Sequence, residues 1–80
     1  MLTLYVRAGC PFCAKALAAG AELGLSFDLK DIADPGIADE LVAQGGKNQT
    51  PYLADTDNNI ALYESGDIVK YLRERYAKPA

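Results

Sequence analysis

An apolar stretch, Leu2-Thr3-Leu4-Tyr5-Val6, leads through Arg7-Ala8-Gly9 into Cys10-Pro11-Phe12-Cys13. That junction constrains the fold more than any other part of the chain. Pro11 has no N–H and a φ fixed near the helical value, so it suits the first turn of a helix and no later one. Cys10 therefore lies at a helix N-terminus, one turn before Cys13. Free N–H groups and the helix dipole favour a thiolate there, by up to ~2 kcal/mol. Further lowering of its pKa needs more donors, such as the Cys13 N–H and thiol, and cationic charge from Arg7. A nucleophilic sulfur with a second sulfur one turn on is what dithiol–disulfide exchange requires. The chain has no other cysteine.

Eighty residues make one small domain. Half of them are hydrophobic and 24% are charged, the balance of an ordinary globular protein. No apolar run reaches the length of a membrane span, and the N-terminus lacks the basic and apolar regions of a signal peptide, so the expectation is a cytoplasmic protein with no membrane partner. In that compartment a close cysteine pair is redox-active more often than it is a structural staple. The net charge of −3 argues against nucleic acid as a partner. The chain has no histidine to complete a closed zinc site with the two thiolates, so no metal is expected. Arg7 and Lys15 flank the cysteine pair, and Lys47 precedes Thr50-Pro51. If the fold gathers them, an acidic protein carries a locally positive site suited to an anionic thiol.

The rest of the chain reads as βαβαββα. The strand Leu2–Val6, apolar apart from Thr3, suits a sheet centre. The helix from Pro11 to about Leu23 places Cys13, Ala16, Leu17, Gly20 and Ala21 on its buried stripe. Ser26 to Ile32 is a strand in which Phe27 and Leu29 alternate with Asp28 and Lys30. Asp34-Pro35 reads as an N-cap and first helical residue, opening a helix to about Gln44 that buries Ile37, Leu41 and Val42. Tyr52–Ala54 and Ile60–Tyr63 form a hairpin around Asp57-Asn58-Asn59. Ser65 caps a last helix whose core face is Ile68, Val69, Leu72 and Tyr76. A strand–helix–strand start demands a right-handed crossover and a parallel pair, and the hairpin adds antiparallel strands. The expectation is an α/β domain: a four-stranded mixed sheet flanked by three helices, with Cys10 at the carboxyl end of the first strand.

With Cys10-Pro11-Phe12-Cys13, Thr50-Pro51 and Glu64-Ser65-Gly66-Asp67 in this order, the chain resembles a glutaredoxin of the thioredoxin-like superfamily over nearly all its length. The third motif, continued as Ile68-Val69-Lys70-Tyr71-Leu72, is also similar to the glutathione-binding segment of glutathione transferase N-terminal domains. The reading is a single glutaredoxin domain over 1–80, without the helical C-terminal domain of the transferases. The resemblance implies glutathione as cosubstrate and, as partners, disulfide-containing or glutathionylated proteins, with the protein acting as a monomer. It makes Cys10 the nucleophile and Cys13 the resolving cysteine. Arg7 matches the basic residue three positions before the nucleophile, and Phe12 stands where the family usually has tyrosine. Lys47 matches a basic position that meets the glycine carboxylate of glutathione. Thr50 matches the residue whose backbone pairs with the cysteinyl unit, and Pro51 the cis-proline. Ser65 and Asp67 fall on the positions that hold the γ-glutamyl end, Gly66 replaces the more usual aspartate, and Glu64 is a transferase-like feature.

Two other readings stay open at this stage. One is a scaffold for an iron–sulfur cluster shared between subunits, with glutathione supplying the outer thiols. The other is a reductase served by thioredoxin reductase rather than by glutathione. Lys47, Ser65 and Asp67 weigh against the latter, although Ser and Asp open helices in any protein.

Overall fold

Strand β1 (Leu2–Val6) has apolar residues on both faces, and in the computed structural model, which describes residues 2–76, it lies inside the sheet. The order is β2-β1-β3-β4, with β2 (Asp28–Asp31), β3 (Tyr52–Asp55) and β4 (Ile60–Leu62). β1 pairs with β2 in parallel and with β3 antiparallel, and β3 pairs antiparallel with β4. The chain is thus the mixed four-stranded α/β sheet that the βαβαββα order implies.

Alternation along β1 divides the core in two. Leu2 and Leu4 join Leu53 beneath helices α1 (Pro11–Glu22) and α3 (Ser65–Tyr76), with Ala16, Ile68 and Leu72 completing the cluster. Tyr5 turns to the other face and packs with Tyr52 and Leu41 of helix α2 (Ile37–Gly45). On that face Lys30 of β2 reaches Glu40 of α2 at 2.8 Å, and the Tyr5 hydroxyl donates to the same carboxylate.

Several details differ from the sequence expectation. The buried residues of α1 are Cys13, Ala16, Ala19 and Gly20, while Ala21 is exposed. The stripe is centred nearer Ala16, which draws Ala19 in and leaves Ala21 out. A Cβ on Gly20 would stand 2.2 Å from the Phe27 ring, so this glycine admits an aromatic side chain against the helix. β2 is shorter than expected, and Leu29 is 53% exposed because β2 is an edge strand, while α1 and α3 are centred over β1 and β3. Helix α2 begins two residues later than Asp34-Pro35 suggested. The Ile37 N–H closes a turn onto the Asp34 carbonyl, Gly36 takes φ 82°, and its carbonyl accepts the first helical bond from Glu40. Val42 lies 42% exposed beside the narrow buried stripe of α2. In α3 the first helical bond runs from the Ile68 N–H to the Glu64 carbonyl, so Glu64 rather than Ser65 holds the capping position. Val69 and Tyr76 are only half-buried.

Asp55 is a buried carboxylate, 1% exposed, on the α1/α3 face of β3. Its Oδ2 accepts from the Tyr71 hydroxyl at 2.6 Å, from the Tyr76 hydroxyl and from Asn58 Nδ2 at 2.8 Å. These contacts anchor both turns of the second half of α3 to the sheet. Burial alone would raise the Asp55 pKa, but the Tyr71, Tyr76 and Asn58 donors outweigh it and hold the carboxyl at about 2. The folded state therefore favours the ionised form. The stabilisation, roughly 2 kcal/mol, is present above the unfolded value near 4 and is lost as pH falls through about 2. Urea unfolding as a function of pH should show Asp55→Asn destabilised by about this amount at neutral pH, with the gap to the parent closing between pH 4 and 2.

Candidate functional site

The register Tyr5↔Tyr52 sets the end of β1 beside the start of β3. Cys10, following β1, is thereby brought to the Thr50–Pro51 peptide, which precedes β3 and is cis. Cys10 is the N-cap of α1, with extended backbone at φ −84° and ψ 112°, and Pro11 occupies the first helical turn. Its Sγ accepts from the Cys13 N–H at 3.3 Å, the bond a capping hydroxyl or carboxylate usually makes.

Both thiols are free and both are largely buried, Cys10 at 6% and Cys13 at 3% exposure. Burial pushes the Cys10 thiol up. The Cys13 thiol, the N–H groups of Cys13 and Phe12 and the Thr50 hydroxyl together outweigh burial, and the thiol ends below its ordinary value. Cys13 shifts the other way, raised first by burial and then by donating to the Cys10 sulfur. Cys10 is thus made the more acidic thiol of the pair and Cys13 the less acidic. The pair that sequence spacing marked is asymmetric in the expected direction.

A groove of about 280 Å³ opens on the Pro51 side, lined by Phe12, Gln49, Thr50, Pro51, Tyr63, Glu64 and Ser65. The fold therefore collects five of the residues marked from sequence, Phe12, Thr50, Pro51, Glu64 and Ser65, onto one surface. Phe12 is 53% exposed at its edge, and Lys15 Nζ lies 5.5 Å from the centre of its ring. Arg7 belongs to a separate cavity of about 480 Å³ that it lines with Gly9, Cys10, Cys13, Leu17 and Asp31, among others. Both cysteines line this cavity and neither lines the groove, which the Thr50 hydroxyl links to Cys10. Lys47 is exposed, its ammonium 5.8 Å from the centre of the Tyr63 ring. Asp67 is exposed in the first turn of α3 and does not line the groove.

Gln49 and Tyr63 were not marked from sequence. Gln49 Nε2 donates to Glu64 Oε1 at 3.2 Å, linking the loop before β3 to the start of α3. The sequence predicts a hairpin strand that runs to Tyr63; β4 ends at Leu62, and the tyrosine turns toward the Lys47 loop. No local pattern marks such a residue, because its partners lie 16 positions away. Among the described residues no group of three or more His, Cys, Asp or Glu side chains is placed to hold a metal ion. No described helix is long and apolar enough to cross a membrane.

Residues 4–80 match the family model described as the glutathione S-transferase N-terminal domain. No curated protein matches the chain. Among solved structures, a glutathione S-transferase 1-6 from Anopheles dirus species B is 33% identical, with a TM-score of 0.80 over 96% of this chain and 37% of that one. A glutathione S-transferase from the Antarctic clam Laternula elliptica is 28% identical, with a TM-score of 0.82 over 96% of this chain and 36% of that one. A theta class glutathione S-transferase from Xanthomonas axonopodis pv. citri, solved with glutathione bound, is 25% identical, with a TM-score of 0.79 over 95% of this chain and 37% of that one. The chain spans little more than a third of the length of these structures. The whole-chain similarity is thus to transferases within the thioredoxin-like superfamily, and not to glutaredoxins specifically.

The opposed shifts of the two thiols predict an order of reaction. Iodoacetamide should modify Cys10 before Cys13 in the reduced protein, with a rate that rises at lower pH than for an ordinary thiol. Cys13→Ala should move that pH midpoint upward, because the S–H donor to the Cys10 sulfur is gone while the N–H donor stays. Peptide mapping of the labelled protein reads both outcomes.

Proposed function

Because the chain belongs to the glutathione S-transferase N-terminal domain family, we propose that it takes glutathione into the groove beside Cys10 and acts as a glutathione-dependent thiol–disulfide oxidoreductase. The observation that carries this reading is the Cys10–Cys13 pair itself, with the Cys13 N–H 3.3 Å from the Cys10 sulfur and the two thiols shifted apart. A conjugating site needs to activate only the thiol of glutathione. A second, protonated thiol one turn away adds nothing to that chemistry, whereas disulfide exchange uses both.

In the glutathione route the Cys10 thiolate attacks the glutathione sulfur of a glutathionylated protein. The Cys10–glutathione bond forms as the old disulfide breaks, and the protein thiolate leaves and takes a proton from solvent. A second glutathione, as thiolate, attacks the bound glutathione sulfur, producing glutathione disulfide and restoring Cys10. In the dithiol route Cys10 attacks a protein disulfide, and Cys13, after losing its proton, attacks Cys10 to release the second protein thiol. The Cys10–Cys13 disulfide that remains is reduced by two glutathiones.

Within this reading, the Thr50 backbone beside Pro51 pairs with the cysteinyl unit of glutathione, in the manner of an added strand. Ser65 and Asp67, at the N-terminus of α3, hold the γ-glutamyl end where the dipole favours its carboxylate. Lys47 meets the glycine carboxylate, Phe12 walls the groove, Glu64 supports it through Gln49, and Arg7 adds positive charge on the far side of Cys10.

A second reading, transfer of glutathione to an electrophile, is favoured by the family match and by the transferases among the structural neighbours. In that case the Cys10 position stabilises the glutathione thiolate and forms no bond to it. The cysteine variants separate the two. Cys13→Ser should retain most activity on glutathione mixed disulfides, and should lose reduction of protein disulfides by on the order of 10²-fold or more, since an intramolecular thiol is replaced by a dissolved one. Cys10→Ser should abolish both. Undiminished activity of Cys10→Ser in conjugation to an aryl halide, with no disulfide reduction by the parent protein, would establish the transferase reading instead.

A further inference from the structure

The loop between α2 and β3 carries Lys47 and Thr50, yet it has no regular structure of its own, and Gly46 at its start takes φ 86°. Gln49 ties its later part to Glu64, and one side chain from beyond the hairpin holds its Lys47 end. The Tyr63 hydroxyl accepts from the Lys47 N–H at 2.9 Å and donates to the Lys47 carbonyl at 2.8 Å. A single phenol thus satisfies both backbone groups of one loop residue, as a paired strand would.

The phenol is itself fixed. Its ring packs on Tyr52 with centroids 4.6 Å apart and planes at 48°, and Tyr52 packs in turn on buried Tyr5, 5.6 Å away. A Cβ at Gly45 would stand 2.1 Å from the Tyr63 oxygen, so the end of α2 closes tightly over the hydroxyl. The loop is therefore tied to the rigid aromatic layer of the α2 face. The Tyr63 ring also borders the groove, while its hydroxyl is committed to the loop.

We infer that Tyr63 is the positioning residue for glutathione recognition: by clamping the Lys47 backbone it presets the Lys47 end of the loop, and so sets affinity for the tripeptide without taking part in sulfur chemistry. This rests on the glutathione-dependent reading above. A loop held in its binding geometry beforehand spares the ordering cost on binding, and that saving appears in affinity. Cys10 receives its hydrogen bonds from Cys13, Phe12 and Thr50 and none from Tyr63. Loosening the Lys47 end should therefore affect binding far more than thiol reactivity.

Tyr63→Phe removes both hydrogen bonds and keeps the ring on Tyr52. The expected result is a KM for glutathione raised roughly 5- to 10-fold, the effect of losing one or two hydrogen bonds, with kcat at saturating glutathione unchanged. The pH midpoint of Cys10 alkylation should also stay where it is. Tyr76→Phe, which removes a hydroxyl at the far end of α3, should leave KM unchanged. Binding of S-methylglutathione, which cannot exchange thiols, gives an independent reading by calorimetry. Weakened binding in Tyr63→Phe alone supports the clamp. Equal binding by parent and Tyr63→Phe overturns it while leaving the proposed function standing. A fall in kcat together with a shifted alkylation midpoint overturns it in favour of a general structural role. Failure of the parent to bind S-methylglutathione removes both this inference and the reading beneath it.

Discussion

The bond from the Cys13 N–H to the Cys10 sulfur is the interaction on which the rest of the site depends. Helices usually begin on an oxygen, from Ser, Thr, Asp or Asn. Here the capping atom is the Cys10 sulfur, the nucleophile in the proposed function, so the start of α1 and the state of the thiol are one arrangement. A thiolate is a better acceptor than a thiol, and the ends of the helix N–H groups are where negative charge is least costly. Cys13 completes the asymmetry. Its own thiol donates to the same sulfur, which raises one pKa as it lowers the other.

This arrangement needs a sheet that delivers a second segment to the same place. Antiparallel pairing of β1 with β3 does so: the strand that ends at the cysteine loop lies beside the strand that begins after Pro51. One edge of the groove then comes from α1, one from the loop before β3 and one from the start of α3. The two sheet faces support these edges separately. Asp55 ties the later turns of α3 to β3 on one face. The Tyr5–Tyr52–Tyr63 layer supports the loop on the other.

Features governed by short-range rules were legible in the sequence. Pro11 after Cys10 located the start of α1, alternation located the strands, and the βαβαββα order left few ways to build the sheet. The five groove residues came from the family resemblance, whose motifs fold onto one surface. Features set by distant contacts were not legible. Leu29 looked like core by alternation, but its exposure depends on where α1 lies over the sheet. Asp34-Pro35 carried a start signal that Gly36 overrode by capping the helix two residues later. Nothing in the sequence marks Asp55, since its tyrosine donors come from α3, and Tyr63 reads as strand because its partner Lys47 lies 16 positions away. Asp67 is exposed in the first turn of α3 and does not line the groove, a placement that the motif alone does not state.

The proposed function rests on an N-capping Cys10 thiol of lowered pKa paired with a Cys13 thiol of raised pKa, and it has this domain reduce disulfides with electrons from glutathione. The most direct measurement is reduction of a small disulfide substrate with two electron supplies in parallel: glutathione with glutathione reductase, and thioredoxin reductase, each with its nicotinamide cofactor. The account predicts rapid turnover with the glutathione system and none above background with thioredoxin reductase. Turnover supported by thioredoxin reductase alone, or by neither supply, would contradict it.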